Sequence, residues 1–373
     1  MKLVSAGRTV AMASVATLIF GSVVTACGSD DDGGVSTSAS GGAAGRESCL
    51  GKDRLTAEGS TAQQKAMALF NTTWGQLCPG KQVSYEATGS GVGREQFIAG
   101  HVDFAGSDSP LVAEQLAPAA DRCGGNPAWD LPLSLGPIAI VYNLADIPDL
   151  VVDSDALAKI FSGGILRWDD PTLAALNPGV KLPGTTITPI YREDSSGTTD
   201  NFQKYLTAAA PQSWTWGVGI EFQGGVGEGA QRSAGVIEAV RSTPGAIGYV
   251  GKSSADHASI PFARLETGKG VVRLTEATAG NAIRAVTVAG HGNDLVLELT
   301  PVYTAEDPKS YPLVLASYEI VCSKGYDGDT AAAIKSFLTA AAGRGQEGLS
   351  AAGYLPLPDK VKERLVAAID ALR

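Results

Sequence analysis

Four times this chain runs an apolar, strand-like segment into a short turn of Gly, Ser, Thr or Asp and then toward a helix. Arg54 to Ala57 leads to Gly59-Ser60-Thr61, and Val83 to Tyr85 to Gly89-Ser90-Gly91. Val102 to Ala105 leads to Gly106-Ser107-Asp108, and Ile187 to Tyr191 to Asp194-Ser195-Ser196-Gly197-Thr198. Alternation of this kind demands parallel strands with right-handed crossovers. Each handover leaves backbone N–H groups free at the positive end of a helix dipole. One such turn only caps its helix, since Ser is a favoured N-cap. Four of them, with Arg192 and Asp108 alongside, point to a small oxyanion held at the carboxyl ends of the strands.

The spacing predicts strands at 54–58, 81–87 and 102–105 and helices at 60–77 and 92–99. On the first helix Ala66, Phe70, Trp74 and Leu77 share one face. Leu131 to Tyr142 is a long apolar strand broken near its start by Pro and Gly. A second α/β series follows, with helices at 154–161, 170–175 and 199–207, another within 227–242, and strands at 187–191 and 246–250. Tyr311 to Val321 repeats the character of the first long strand, and helices at 330–342 and 359–372 end the chain. Two long strands crossing between halves imply a two-lobe α/β fold. Residues 46–134 with 315–373 form lobe I, and residues 135–314 form lobe II. The cleft between them receives turns from both sides, a standard place for a small ligand.

Charge narrows the ligand's origin. A formal charge of −10 over 373 residues argues against nucleic acid or an anionic membrane as partner. An anion must then be held by local dipoles and directional hydrogen bonds. Residues 1–26 read as an export signal, with Lys2 and Arg8 before an apolar run from Val10 to Val24. The signal ends Val24-Thr25-Ala26-Cys27, the pattern in which a lipidated cysteine becomes the new N-terminus. Its removal takes two positive charges and no negative ones, so the mature charge is −12. Residues 27–45 have Val35 as their single large apolar side chain and form a flexible tether.

In an exported chain the even set Cys49, Cys78, Cys123 and Cys322 suggests two disulfides. Three connectivities are open. The order of elements favours Cys49–Cys78 and Cys123–Cys322, because the helix after the first strand returns Cys78 toward Cys49. No metal-ligand spacing joins these cysteines to His101, His257 or His291, so neither a metal nor a cofactor is expected.

Several motifs resemble the phosphate-binding lipoproteins of the bacterial phosphate-specific ABC transport system. They are Ala57-Glu58-Gly59-Ser60-Thr61, Thr88-Gly89-Ser90-Gly91, the run from Val102 to Leu111, and Arg192-Glu193-Asp194-Ser195-Ser196-Gly197-Thr198. Trp168-Asp169-Asp170-Pro171, Gly245-Ala246-Ile247-Gly248-Tyr249 and the segment Leu349 to Leu357 fit as well. The resemblance implies a type II periplasmic-binding-protein-like fold with two hinge strands. It implies inorganic phosphate as ligand, an ABC permease with a cytoplasmic ATPase as partner, and no enzymatic reaction. It also implies a lipid anchor at Cys27 on the extracytoplasmic face of the cell membrane. Carried onto this chain, the phosphate ligands are Thr61, Ala62, Ser90, Asp108, Arg192, Ser196, Gly197 and Thr198, with Asp194 holding Arg192. Ala62 stands where the family often has a large aromatic residue, so packing over the ligand differs while the backbone N–H survives.

Asp108 has a chemical rationale in such a site. Phosphate at neutral pH keeps a proton to donate to a carboxylate, and sulfate does not. That argues against a sulfate or molybdate binder. A phosphate-ester hydrolase would need a nucleophile with a His/Asp partner set, a metal cluster, or a G-x-S-x-G or Walker motif, and none is recognisable.

Overall fold

The computed structural model describes residues 49–305 and 307–373. The expected export signal 1–26, Cys27 and the tether 27–45 lie outside the described residues. Chain order begins with β1 (Arg54–Gly59), α1 (Gln64–Leu77), β2 (Gln82–Ala87), α2 (Ser90–Ile98), β3 (Phe104–Ser107) and α3 (Ala113–Arg122). The long strand β4 (Ala128–Tyr142) follows, then α4 (Ser154–Ser162), β5 (Thr188–Arg192), α5 (Gly197–Ala209) and β6 (Glu228–Ala230). Next come α6 (Arg232–Ser242), β7 (Ala246–Gly251), β8 (Val314–Cys322), α7 (Gly328–Ala342) and α8 (Asp359–Ala371).

These eight strands form one sheet in the order β2-β1-β3-β8-β4-β7-β5-β6. Strands β1, β2 and β3 run parallel, as do β5, β6 and β7. Between these parallel sets lie β8 and β4, paired antiparallel. β4 joins the two sets. From Ala128 to Pro137 it pairs with β8, and from Ile138 to Tyr142 with β7. The change of partner falls at Pro137, whose ring removes a ladder donor. This is the two-lobe α/β fold expected from the sequence, with β4 running from one lobe into the other. Burial follows topology. Every residue of β4 from Asp130 onward is buried, as a strand covered on both faces must be.

Two aromatic groups within one continuous hydrophobic core hold the elements in place. In the first lobe Trp74 of α1 meets Phe337 of α7 edge-on at 5.6 Å, and Phe337 stacks on Phe104 of β3 at 5.3 Å. In the second, Phe202 of α5 packs against Phe161 and Tyr249, at 4.9 and 4.4 Å. Stacked and edge-on pairs of this kind contribute about 0.5–1.5 kcal/mol each beyond burial. The bonded cysteines are Cys49–Cys78 and Cys123–Cys322. The second pair ties the end of α3 to the end of β8.

Two helix starts differ from the spacing argument. The first helix begins at Gln64 rather than Ser60, because residues 60–63 bend around the Ser60 hydroxyl. The helix after Gly106-Ser107-Asp108 starts only at Ala113, with Val112 as its N-cap. Asp108 is therefore not a cap, and its carboxylate is turned to other partners. Among the described residues no helix is long and apolar enough to cross a membrane.

Candidate functional site

The four polar turns come together. Gly59 sits at φ 144°, where an added Cβ would fall 1.8 Å from Gly106 O, so the first and third turns meet backbone to backbone. Ser60 Oγ donates to Asp108 Oδ2 at 2.6 Å, and Asp108 N donates to Ser90 Oγ at 3.0 Å. The fourth turn arrives from the other lobe. A Cβ on Gly197 would stand 2.6 Å from Asp108 Cβ and 2.7 Å from Ser90 Oγ, closer than real Cβ atoms approach. Gly91 N donates to Ser195 O at 3.1 Å, and Asn201 Nδ2 donates to Asp108 O at 2.7 Å.

Arg192 lies at the end of β5 and is 2% exposed. Asp194 grips it from below, accepting from Nε at 2.7 Å and also from Nη2. A bidentate carboxylate fixes the plane of a guanidinium. Burial pushes the Asp194 carboxyl upward, but the hydrogen bond and charge of Arg192 and the N–H of Arg232 outweigh it, and its pKa is lowered. The free corner, Nη1, donates to Thr61 Oγ1 across the lobes at 3.1 Å, and Thr61 Oγ1 also meets Ser233 Oγ at 2.8 Å. Tyr249 supports the same wall from β7, its hydroxyl 2.8 Å from Thr199 Oγ1 and accepting from Arg192 N at 3.4 Å.

Helix α5 opens here. Ser196 is its N-cap, accepting from Thr199 N at 3.3 Å. Thr198 Oγ1 is buried and has no hydrogen-bond partner among the described residues. Gly197 and Thr198 hold the first two helical positions, whose N–H groups have no intrahelical acceptor. A buried hydroxyl without a partner beside two such N–H groups is unusual in a protein interior, and the arrangement suits an acceptor-rich group chemically.

Asp108 faces these donors. Ser60 and Ser317 donate to its two oxygens, the latter at 2.8 Å from strand β8. Burial raises its pKa to about 6, while the two serine hydrogen bonds and the charge of Arg192 pull it down.

Of the residues named from sequence, Thr61, Ser90, Asp108, Arg192, Ser196, Gly197 and Thr198 cluster here, each less than a tenth exposed where it has a side chain. Ala62 is adjacent, but its N–H already donates to Ser60 Oγ at 3.0 Å. Two partners stand outside that set. Ser60 lies within the first of the motifs. Ser317 sits on β8, far away in sequence, with no local signal. No group of three or more His, Cys, Asp or Glu able to hold a metal occurs among the described residues.

The fold and this cleft define a two-lobe binding protein, and the profile of the PBP superfamily domain matches residues 36–342. A phosphate-binding protein, PstS3, of Mycobacterium bovis is 45% identical over 96% of this chain and 98% of its own length. The Mycobacterium leprae PstS 3 protein is 44% identical over 96% and 98%, and the M. bovis PstS2 protein 44% over the whole of both. A high-affinity periplasmic phosphate-binding protein solved with phosphate at pH 8.5 shares the fold at TM-score 0.67 and 24% identity, over 84% of this chain and 93% of that one. The chain belongs to the family of phosphate-binding PstS proteins.

Proposed function

We propose that this chain binds inorganic phosphate in the cleft between its lobes and delivers it to an ABC permease for import. The carrying observation is the meeting of a rigidly held, buried guanidinium and a helix N-terminus from one lobe with a buried carboxylate from the other. Thr61, Ser90, Ser196 and Thr198 donate hydroxyls to the anion. Gly197 and Thr198 donate backbone N–H groups, and Ala62 donates an N–H shared with Ser60 Oγ. Arg192 supplies the fixed charge, and Asp108 accepts the proton that phosphate retains. This reading involves binding and release, with no bond made or broken.

The lobes are divided as 46–134 with 315–373 against 135–314, so that β4 and the chain entering β8 are the hinges. Phosphate brings the lobes together because its ligands come from both. Cys27 carries the lipid, and residues 27–45 let the folded part reach the permease and its cytoplasmic ATPase from the extracytoplasmic face of the membrane. Two acyl chains are needed for stable anchoring of this kind.

Calorimetry with phosphate and with sulfate tests the reading. Tight phosphate binding with sulfate excluded is expected. Equal binding of the two, or none of either, overturns it.

A further inference from the structure

A cavity of about 760 Å³ opens outside Thr61 and Ser233, and both residues line it. Their hydroxyls meet at 2.8 Å, and Arg192 Nη1 reaches the same Thr61 oxygen at 3.1 Å. Arg192 itself is 2% exposed and does not line the cavity. One pair of short hydroxyl side chains therefore stands between the cavity and the buried guanidinium.

The lining carries Lys65, Arg232 and Arg241 against the carboxylates of Glu86 and Glu238. In a chain of formal charge −10 this is a locally positive surface. The three cations differ. Lys65 Nζ is tied to Ser253 O at 2.9 Å, and Arg241 Nη2 to Ala258 O at 2.5 Å. Arg232 bonds through its backbone N–H, to Asp194 Oδ1 at 2.7 Å, and its guanidinium has no hydrogen-bond or ion-pair partner among the described residues.

Arg232 also sits at φ 61°, in the left-handed region. That conformation is strained for a non-glycine residue. The bond from its N–H to Asp194 accounts for the backbone but not for the side chain, because glycine would make the same bond without strain. A strained position filled by a residue with an unpaired charge is the pattern of a side chain in use.

Resting on the phosphate reading above, we propose that Arg232 is the outer capture residue of an entry route. Its guanidinium takes the incoming anion in the cavity by the bidentate geometry that suits phosphoryl oxygens. Parting of Thr61 from Ser233 then passes the anion to Arg192. Asp194 coordinates the two stages, since it holds the Arg192 guanidinium and the Arg232 backbone together.

The test is quenched-flow capture of radiolabelled inorganic phosphate by the full folded chain, at low and high salt. Arg232→Gly suits the backbone and removes only the side chain. It should lower the association rate constant about 3- to 10-fold at low salt, leave dissociation unchanged, and lose most of this difference as salt screens the charge. Arg232→Lys should retain most of the wild-type rate. Arg232→Asn, which tolerates the same backbone, repeats the measurement if the glycine variant does not fold. A wild-type association rate in the neutral variants at low salt overturns the proposal, as does a change confined to dissociation. A wild-type chain that captures no phosphate rejects the phosphate reading instead, so the two failures are distinguishable.

Discussion

The two walls of the cleft solve different problems. The wall from β1, β3 and β8 presents an acceptor, Asp108, braced by Ser60 and Ser317 from its own side. The wall from β5 and α5 presents donors, Arg192 and a helix start, braced by Asp194 and Tyr249 from its own side. On the proposed reading the fixed positive charge thus belongs to one lobe, and the carboxylate that discriminates among anions to the other. Each charged group is supported locally, so each can be altered without dismantling its opposite.

The largest expected effect comes from the donor wall. Arg192→Ala should weaken phosphate binding by about 100-fold or more, since charge-assisted hydrogen bonds contribute about 1.5–3 kcal/mol each. Arg192→Lys keeps charge near Asp194 but loses the fork, and should recover only part of the loss. Calorimetry on folded protein decides. Unchanged affinity would break the comparison at its first term.

Next is the seam between the walls. Gly197→Ala places a Cβ 2.6 Å from Asp108 Cβ, which only separation of the lobes relieves. Overpacking of this kind costs about 1–3 kcal/mol, so roughly a tenfold loss of affinity is expected, with the melting temperature of ligand-free protein little changed. Small-angle scattering should show wild type shrinking with phosphate and the variant staying extended. Equal radii in all four states would mean that the walls do not move together.

The acceptor wall gives a smaller effect on affinity and a larger one on choice. Asp108→Asn can donate as well as accept, so sulfate should begin to bind while phosphate weakens only a few-fold. The same wall carries a pH signature. Burial raises Asp108 to about 6, against the serine hydrogen bonds and Arg192 that lower it. Wild type should exclude sulfate at pH 8 and admit it progressively as pH falls through about 6, when the carboxyl itself becomes a donor. The Asn variant should show no such step. Sulfate titrations across this range separate carboxylate discrimination from discrimination by shape.

How much of this was legible in the sequence follows the same division. The donor wall is contiguous: Arg192 to Thr198 supplies charge, brace, cap and helix start in seven residues, each with a local role. The acceptor wall is assembled from three strands. Asp108 could be named, but Ser317 reaches it from a strand more than two hundred residues later, which no local spacing reveals. The long strands between the lobes are visible as two apolar runs, while the residue where β4 changes partner depends on pairing. Ala62 shows the converse. The resemblance names it for its N–H, but the chain bends at Ser60 before the helix begins and that N–H is shared.

The smallest expected effect concerns stability, and it lies just behind the acceptor wall. Glu319 is fully buried on β8, two residues after Ser317, and among the described residues no well-formed hydrogen bond reaches either carboxyl oxygen, although the Gln63 side chain lies against it. Gln63 Oε1 is likewise buried without a partner. Burial, reinforced by the charge of Asp108 and opposed by Gln63, holds the Glu319 pKa well above the ordinary glutamate value. The folded chain therefore keeps a proton that the unfolded chain gives up. That contribution to stability is complete below the unfolded glutamate pKa and is lost as pH rises toward the folded one. Glu319→Gln has nearly the same shape, does not titrate, and brings a donor to a place crowded with acceptors. Each pH unit above the unfolded glutamate pKa costs the wild type about 1.4 kcal/mol while the folded carboxyl stays protonated, so the variant should gain a few degrees in melting temperature at pH 8 and much less at pH 5. Asp108 and Asp130, both raised by burial, remain in the variant and slope the same way, so the difference between the two pH profiles isolates Glu319. Parallel profiles would mean that the carboxyl is satisfied as it stands. The discriminating wall would then be braced by Ser60 and Ser317 without a protonated acid behind them.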